Sequence, residues 1–340
     1  MPFSSPSSLF SSLTLRLPGT LVCVVIALAA TFLSEHYGGP QLLYALLIGL
    51  AFHFLCSNPR VRPGVDFCGR SLLRIGVALL GVRITLTQVA RLGLESAVVI
   101  AVGVALTILF GLLLARWLKR PREEGLLSGG AVAICGASAV LALSSVLPQT
   151  RENERFTLLA VVGVTVLSTL SMVIYPFALK AIGLPPEQAG IFLGGTIHDV
   201  AQVVAAGMML GPAVGDTATV VKLFRVMLLM PIVVFVAISY RNHPDTKATD
   251  DEVPLVPGFL LAFIVLVLLA SIGTFTPDMT QLASSTSRWL LVTAIAAAGI
   301  KTSFEDLLKL GWQPVAMLVG ETVFIASLVL AAIVTLRLGL

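Results

Sequence analysis

The sequence predicts an all-α polytopic membrane protein with about eleven transmembrane helices, inverted repeats and two interrupted helices. Composition is the first reason. Of 340 residues, 57% are hydrophobic and 12% charged, against about 45–50% and 25% in soluble domains; mean hydropathy is +0.98. Such a chain cannot cover a water-facing surface with polar groups, which excludes an ordinary soluble enzyme. The second reason is the charge-free runs Phe156–Leu179 and Val253–Pro277, each longer than the about 20 apolar residues that cross a bilayer core. The third is a pair of Gly-rich, polar stretches inside otherwise apolar spans, at 127–138 and 194–202.

The spans read 19–33, 40–56, 70–84, 94–116, 126–147, 156–179, 187–210, 219–240, 255–273, 286–302 and 312–336. Residues 1–18 form a Ser-rich cytoplasmic segment, and 19–340 a single multi-pass transporter domain whose first span is retained rather than cleaved. Basic residues gather in alternate loops: Arg60 and Arg62; Lys119, Arg120 and Arg122; Arg241 and Lys247. Loops 34–39, 211–218 and 274–285 have no Lys or Arg. The positive-inside rule then puts the N-terminus in the cytoplasm and the C-terminus outside. Arg83, Arg91, Arg151 and Arg155 are exceptions to that pattern. The net charge of +4 is explained by these loops, so no nucleic-acid partner is expected. Cys23, Cys56, Cys68 and Cys135 form no C-x-x-C pair, which argues against a disulfide scaffold or a zinc site.

One internal repeat is visible. Gly81-Val82-Arg83-Ile84-Thr85, running on to Gly93, aligns with Gly299-Ile300-Lys301-Thr302-Ser303, running on to Gly311. Each copy leads into a long span. The copies lie an odd number of spans apart, and therefore run in opposite directions, as in inverted-repeat transporters. Arg83 and Lys301, at matched positions, are candidates to line a shared anion path or to sit at the interface.

The interrupted spans carry the other candidates. Gly129, Gly130, Cys135, Gly136 and Ser138 lie in the first; Gly194, Gly195, Thr196, His198, Asp199 and Gln202 in the second. Backbone that unwinds at membrane depth must line protein or water. The competing reading is close helix packing through small residues. His198-Asp199 favours a site, because a central Asp costs about 2.5–3.5 kcal/mol on insertion scales and histidine changes charge near neutral pH. Neighbouring helical residues point about 100° apart, so both reach one cavity only where the helix opens, here after Gly195. Lys222 and Arg225 read either as a snorkelling interfacial pair or as counter-charge for an anionic substrate. Glu321 lies well inside the last span and needs a partner. No hydrolase, ATP-binding or metal motif is present, so neither enzyme chemistry, cofactor nor metal is expected.

The stretches Gly129–Val140, Gly194–Gly207 and Leu72–Thr85 resemble the signature segments of the YeiH-type bacterial inner-membrane family. The likeness covers nearly the whole chain. That family is often labelled as sulfate exporters and grouped with cation/proton antiporter and anion transporter folds. The resemblance implies a secondary transporter for a small anion (sulfate, sulfite or sulfonate-like) driven by an ion or proton gradient. Its partners would be that ion and the lipid bilayer, with homo-oligomer formation open. A cation/proton exchanger using Asp199, or a non-transporting scaffold or sensor, are the other classes.

Overall fold

The computed structural model describes residues 6–38, 41–91, 93–148, 150–240, 258–302, 311–336 and 338. All regular structure among them is helical. In chain order the α-helices are α1 (Pro6–Tyr37), α2 (Gln41–Ala51), α3 (Arg62–Phe67), α4 (Leu73–Leu80), α5 (Leu86–Arg91), α6 (Gly93–Trp117), α7 (Arg122–Ala133), α8 (Ala137–Val146), α9 (Arg151–Ile182), α10 (Pro186–Thr196), α11 (Val200–Leu210), α12 (Pro212–Tyr240), α13 (Gly258–Ser271), α14 (Pro277–Lys301) and α15 (Trp312–Leu336). Among these, α1, α6, α9, α12 and α15 are long and apolar enough to cross a membrane. Their flanks expose large apolar side chains such as Leu158, Phe177, Phe235 and Ile238. Water would not tolerate these flanks in such density, whereas lipid does.

The chain divides into two compact units, one of residues 1–85 and 259–303, the other of 86–258 and 304–340. In the first unit, α1 meets α3 at Gly19 and Gly64, and α2 meets α14 at Gly49 and Gly299. At each crossing a Cβ would collide with the opposing backbone, so the glycines set the distance of approach. Ser287 donates to the Gly76 carbonyl at 2.6 Å, and Lys301 pairs with Asp66 at 2.6 Å.

The second unit departs from the expected spans in one decisive respect. Spans 126–147 and 187–210 do not cross; each is a helical hairpin. A Cβ on Gly130 of α7 would strike the Leu143 side chain of α8, although the two are 13 residues apart (143 − 130) and would lie about 20 Å apart along a straight helix. Likewise Ala218 of α12 lies against both Gly194 of α10 and Gly207 of α11, again 13 residues apart (207 − 194). The first hairpin turns at Ile134–Gly136, the second at Ile197–Asp199. The count of about eleven crossing spans therefore does not carry over to these two segments.

Direction follows from the contacts. Gly320 of α15 faces Leu114 of α6, and Gly103 of α6 faces Leu328 of α15, so these helices are antiparallel. Gly93 and Gly311, matched in the sequence repeat, both take left-handed φ, +70° and +82°; Gly93 is the first residue of α6, and Gly311 stands immediately before α15. The rest of the second repeat copy, residues 303–310, lies outside the described residues. Because α9 runs between the two hairpins, they enter from opposite ends of the unit and their tips meet. A hairpin followed by a long helix thus occurs twice, inverted: α7–α8–α9 and α10–α11–α12. The turn-back also moves Arg151 and Arg155 to the same end as Arg116, Lys119, Arg120 and Arg122. Two of the exceptions to the loop-charge pattern disappear.

This topology has a direct test. In a background without native cysteines, Lys119→Cys and Arg151→Cys should label from the same side of the membrane with an impermeant thiol reagent. Labelling from opposite sides would restore a crossing span at 126–147.

Candidate functional site

The hairpin tips are where the main chain has most to satisfy. The last carbonyls of a helix lack intrahelical partners and carry the negative end of its dipole. In α7 and α10 these ends are wholly buried. Two cations of α12 meet them. Lys222 Nζ donates to the carbonyls of Ile134 at 2.6 Å and Ile197 at 2.9 Å. Arg225 donates from Nε to Ala133 O at 2.8 Å, from Nη2 to Val132 O at 2.8 Å, and from Nη1 to Gly194 O and Ile197 O at 3.0 and 3.1 Å. One planar guanidinium, with its fixed fork of donors, thus closes on both hairpins at once. Lys222 and Arg225 have no exposed surface, so the snorkelling interfacial reading is overturned. The apolar pattern starts this span at 219, with both residues at its margin; α12 begins at Pro212 and places them near its middle.

His198 joins the same carbonyls from the second tip. Its Nδ1 lies 3.2 Å from Val132 O, the oxygen that Arg225 Nη2 also meets, and its Nε2 lies 3.0 Å from Thr322 Oγ1 of α15. The Thr322 hydroxyl also reaches Leu318 O at 2.7 Å. A neutral ring protonated on Nδ1 donates to Val132 and accepts from Thr322. A charged ring donates from both nitrogens, and Thr322 then gives its proton to Leu318. The charge on His198 and the rotor of Thr322 are thus linked.

Asp199 begins α11 as its N-cap, its carboxylate accepting from Ala201 N at 2.7 Å, while Ser168 Oγ accepts from its backbone N–H at 3.0 Å. Gln202 donates to Thr169 Oγ1 at 2.8 Å, and its buried Oε1 has no partner among the described residues. At the first tip Gly136 has φ +67° and ψ −131°, a backbone conformation open to glycine, and packs on His198. Cys135 is buried beside it, and Ser138 lies in the first turn of α8. The breaks therefore fall after the Gly-Gly steps rather than at them. Gly129, Gly130, Gly194 and Gly195, with Thr196, are helical and buried, the glycines lying against α6, α8, α12 and α15 in turn. Arg83, ending a short 3-10 turn, and Lys301, paired with Asp66, belong to the other unit.

Sequence reading also left Glu321 without a partner. Its Oε1 accepts from Ser128 Oγ at 2.7 Å, and Oε2 has none. Ser128 is one turn before Val132 on α7, a spacing that the sequence contains but that gains meaning only from the neighbouring helix.

Opposed hairpins meeting over buried cations, within a helical chain whose flanks suit lipid, define a multi-pass integral membrane protein. The chain belongs to the family described as conserved hypothetical protein 698, whose model matches residues 18–318, in keeping with the YeiH-type resemblance. It is 48% identical over 318 residues to a UPF0324 membrane protein of Chlorobaculum tepidum, covering 93% of this chain and 89% of the relative. It is 47% identical over 315 residues to the UPF0324 membrane protein TauZ of Paracoccus denitrificans, covering 92% and 93%, and to the same extent to one of Rhizobium meliloti, covering 92% and 91%.

Removing the clasp should unfold the tips. Arg225→Met orphans buried carbonyls of both hairpins, and each lost charge-assisted bond is worth about 1.5–3 kcal/mol. We expect a large fall in thermal stability of the purified protein, and only partial recovery in Arg225→Lys, which lacks the fork.

Proposed function

We propose that the protein is a secondary transporter of a small anion of the sulfate, sulfite or sulfonate-like class, coupled to an ion or proton gradient. The observation that carries this reading is the meeting of two opposed hairpins over Lys222 and Arg225. The first turns of α8 and α11 point their N–H groups and positive dipole ends toward the same tips, the arrangement that suits an anion. Hairpins entering from opposite faces also supply two gates. Displacing α7–α8 opens the tips to one side, and displacing α10–α11 opens them to the other. The end carrying Arg116, Lys119, Arg120, Arg122, Arg151 and Arg155 is then cytoplasmic, in a bacterial inner membrane with the N-terminus inside. His198 reports the state of one tip to the other and to α15, while Asp199 holds the start of α11. In the other unit, Arg83 and Lys301 stay candidates for anion binding or for an interfacial position, independently of the hairpin tips.

A cation/proton exchanger is the second reading, favoured by the Asp199 carboxylate and the unpartnered Gln202 Oε1. Proteoliposomes separate the two. With labelled sulfate, sulfite and taurine, a pH gradient should stimulate uptake of at least one anion. His198→Gln and Asp199→Asn should lose that stimulation while keeping folded yield. A pH response to sodium or potassium without anion uptake would favour the exchanger. Flux of neither would end the transport reading.

A further inference from the structure

Glu321 is a carboxyl with no exposed surface, and the seam that holds it is built around it. Ser128 of α7 donates to Oε1 at 2.7 Å. Across the seam, a Cβ on Gly111 of α6 would come within 2.6 Å of that same oxygen and of the Gly125 carbonyl. Any larger residue at 111 would drive the carboxyl out, so the glycine keeps the space. Among the described residues, Oε2 meets no donor or acceptor.

The two protonation states fit this seam unequally. An ionised Glu321 keeps the Ser128 bond but leaves a charged oxygen buried and bare. A Glu321 protonated on Oε1 donates to Ser128 Oγ instead, and the Ser128 hydroxyl turns to Gly125 O at 3.5 Å, leaving Oε2 a neutral carbonyl oxygen. Burying the bare charge is the less favourable of the two, so this packing holds a proton on the carboxyl and ionisation works against it. An intramembrane carboxyl of this kind is a functional candidate by position.

Its surroundings give it both an access and a reader. Along one face of α7, at four-residue steps, lie Glu124, Ser128 and the Val132 carbonyl. Glu124 is clamped by Arg120 at 2.6 and 2.7 Å, with Glu152 of α9 nearby; the Arg120 side chain is 32% exposed at the end of the unit. From α6 the contact brings Gly111. On α15 the next residue is Thr322, which touches His198, and His198 shares the Val132 carbonyl with Arg225.

We propose that Glu321, held by Ser128 between α6, α7 and α15, is the proton-binding carboxyl of this transporter and passes its state to the hairpin tips through Thr322 and His198. The proton is held on Oε1 against Ser128 Oγ, taken up from the Arg120–Glu124 end and lost the same way or toward His198; no bond other than O–H is made or broken. Ionisation of Glu321 leaves its charge unmet in this packing and drives α15 to shift against α7, which moves Thr322 against His198. The proposal rests on the transport reading for its consequence but not for the existence of the proton site.

The test uses the full chain in proteoliposomes. Glu321→Gln should abolish pH-gradient-driven uptake yet retain exchange of labelled for unlabelled anion at equal pH, which moves no net protons. Ser128→Ala should keep that exchange and shift the pH midpoint of uptake. Infrared difference spectra on a pH step should show a carboxylic C=O band in the wild type that is missing in Glu321→Gln. Gradient-driven uptake by Glu321→Gln at the wild-type rate, or an unchanged infrared band, would overturn the assignment. Should the wild type carry no anion while the band is lost in Glu321→Gln, the proton site stands and the transport reading falls. Should Glu321→Gln not fold, an unshifted midpoint and unaltered band in Ser128→Ala would overturn it instead.

Discussion

The closure of Lys222 and Arg225 on five buried main-chain carbonyls is the constraint from which the second unit follows. Two helices that stop at membrane depth expose carbonyl oxygens that lipid cannot satisfy. Side chains able to reach several such oxygens at once must be long, multidentate and charged, which leaves few choices. Once Arg225 bridges Val132 and Ala133 of one hairpin to Gly194 and Ile197 of the other, the tips are fixed in register. The long helix α12 has to pass beside them at its midpoint. The glycine contacts of α7 and α10 then become necessary, because backbones this close to their neighbours leave no room for side chains.

Much of this architecture was legible in the residues. Apolar runs gave the membrane class, and the polar stretches around Gly129 and Gly194 marked the two segments that fail to continue as simple helices. His198 and Asp199 were found because ionisable groups in such a segment are expensive. The sense of the breaks was not legible. Local sequence around 134–136 and 197–199 says that a helix stops, but whether the chain goes on or turns back depends on Leu143 meeting Gly130 and on Ala218 meeting Gly207. Those are long-range packing facts. The Gly-Gly steps leave two readings open, close approach and unwinding; here the glycines pack against their neighbours and each break follows a few residues later.

The positions of Lys222, Arg225 and Glu321 illustrate a second limit. The sequence reads 211–218 as a loop between two apolar spans, yet all of it from Pro212 on forms the first turns of α12. A misplaced helix start moved two central cations to the margin. Glu321 was seen to be deep, but its partner Ser128 lies far away in sequence, where no spacing rule connects them. Loop charge, by contrast, contained a usable discrepancy. Arg151 and Arg155 fell on the wrong side for a crossing span, and the hairpin removes the conflict.

Among the described residues, every bond that Lys222 and Arg225 make at the tips goes to a backbone oxygen, and none to a side chain. The clasp therefore reads the path of the main chain and is indifferent to what the tip residues carry. Substitution at Cys135 or Ile197 leaves the donors and acceptors of the clasp in place and is limited by packing alone, both side chains being buried. A joint built on the main chain can be inherited unchanged while the side chains around it are exchanged for others that fill the same space.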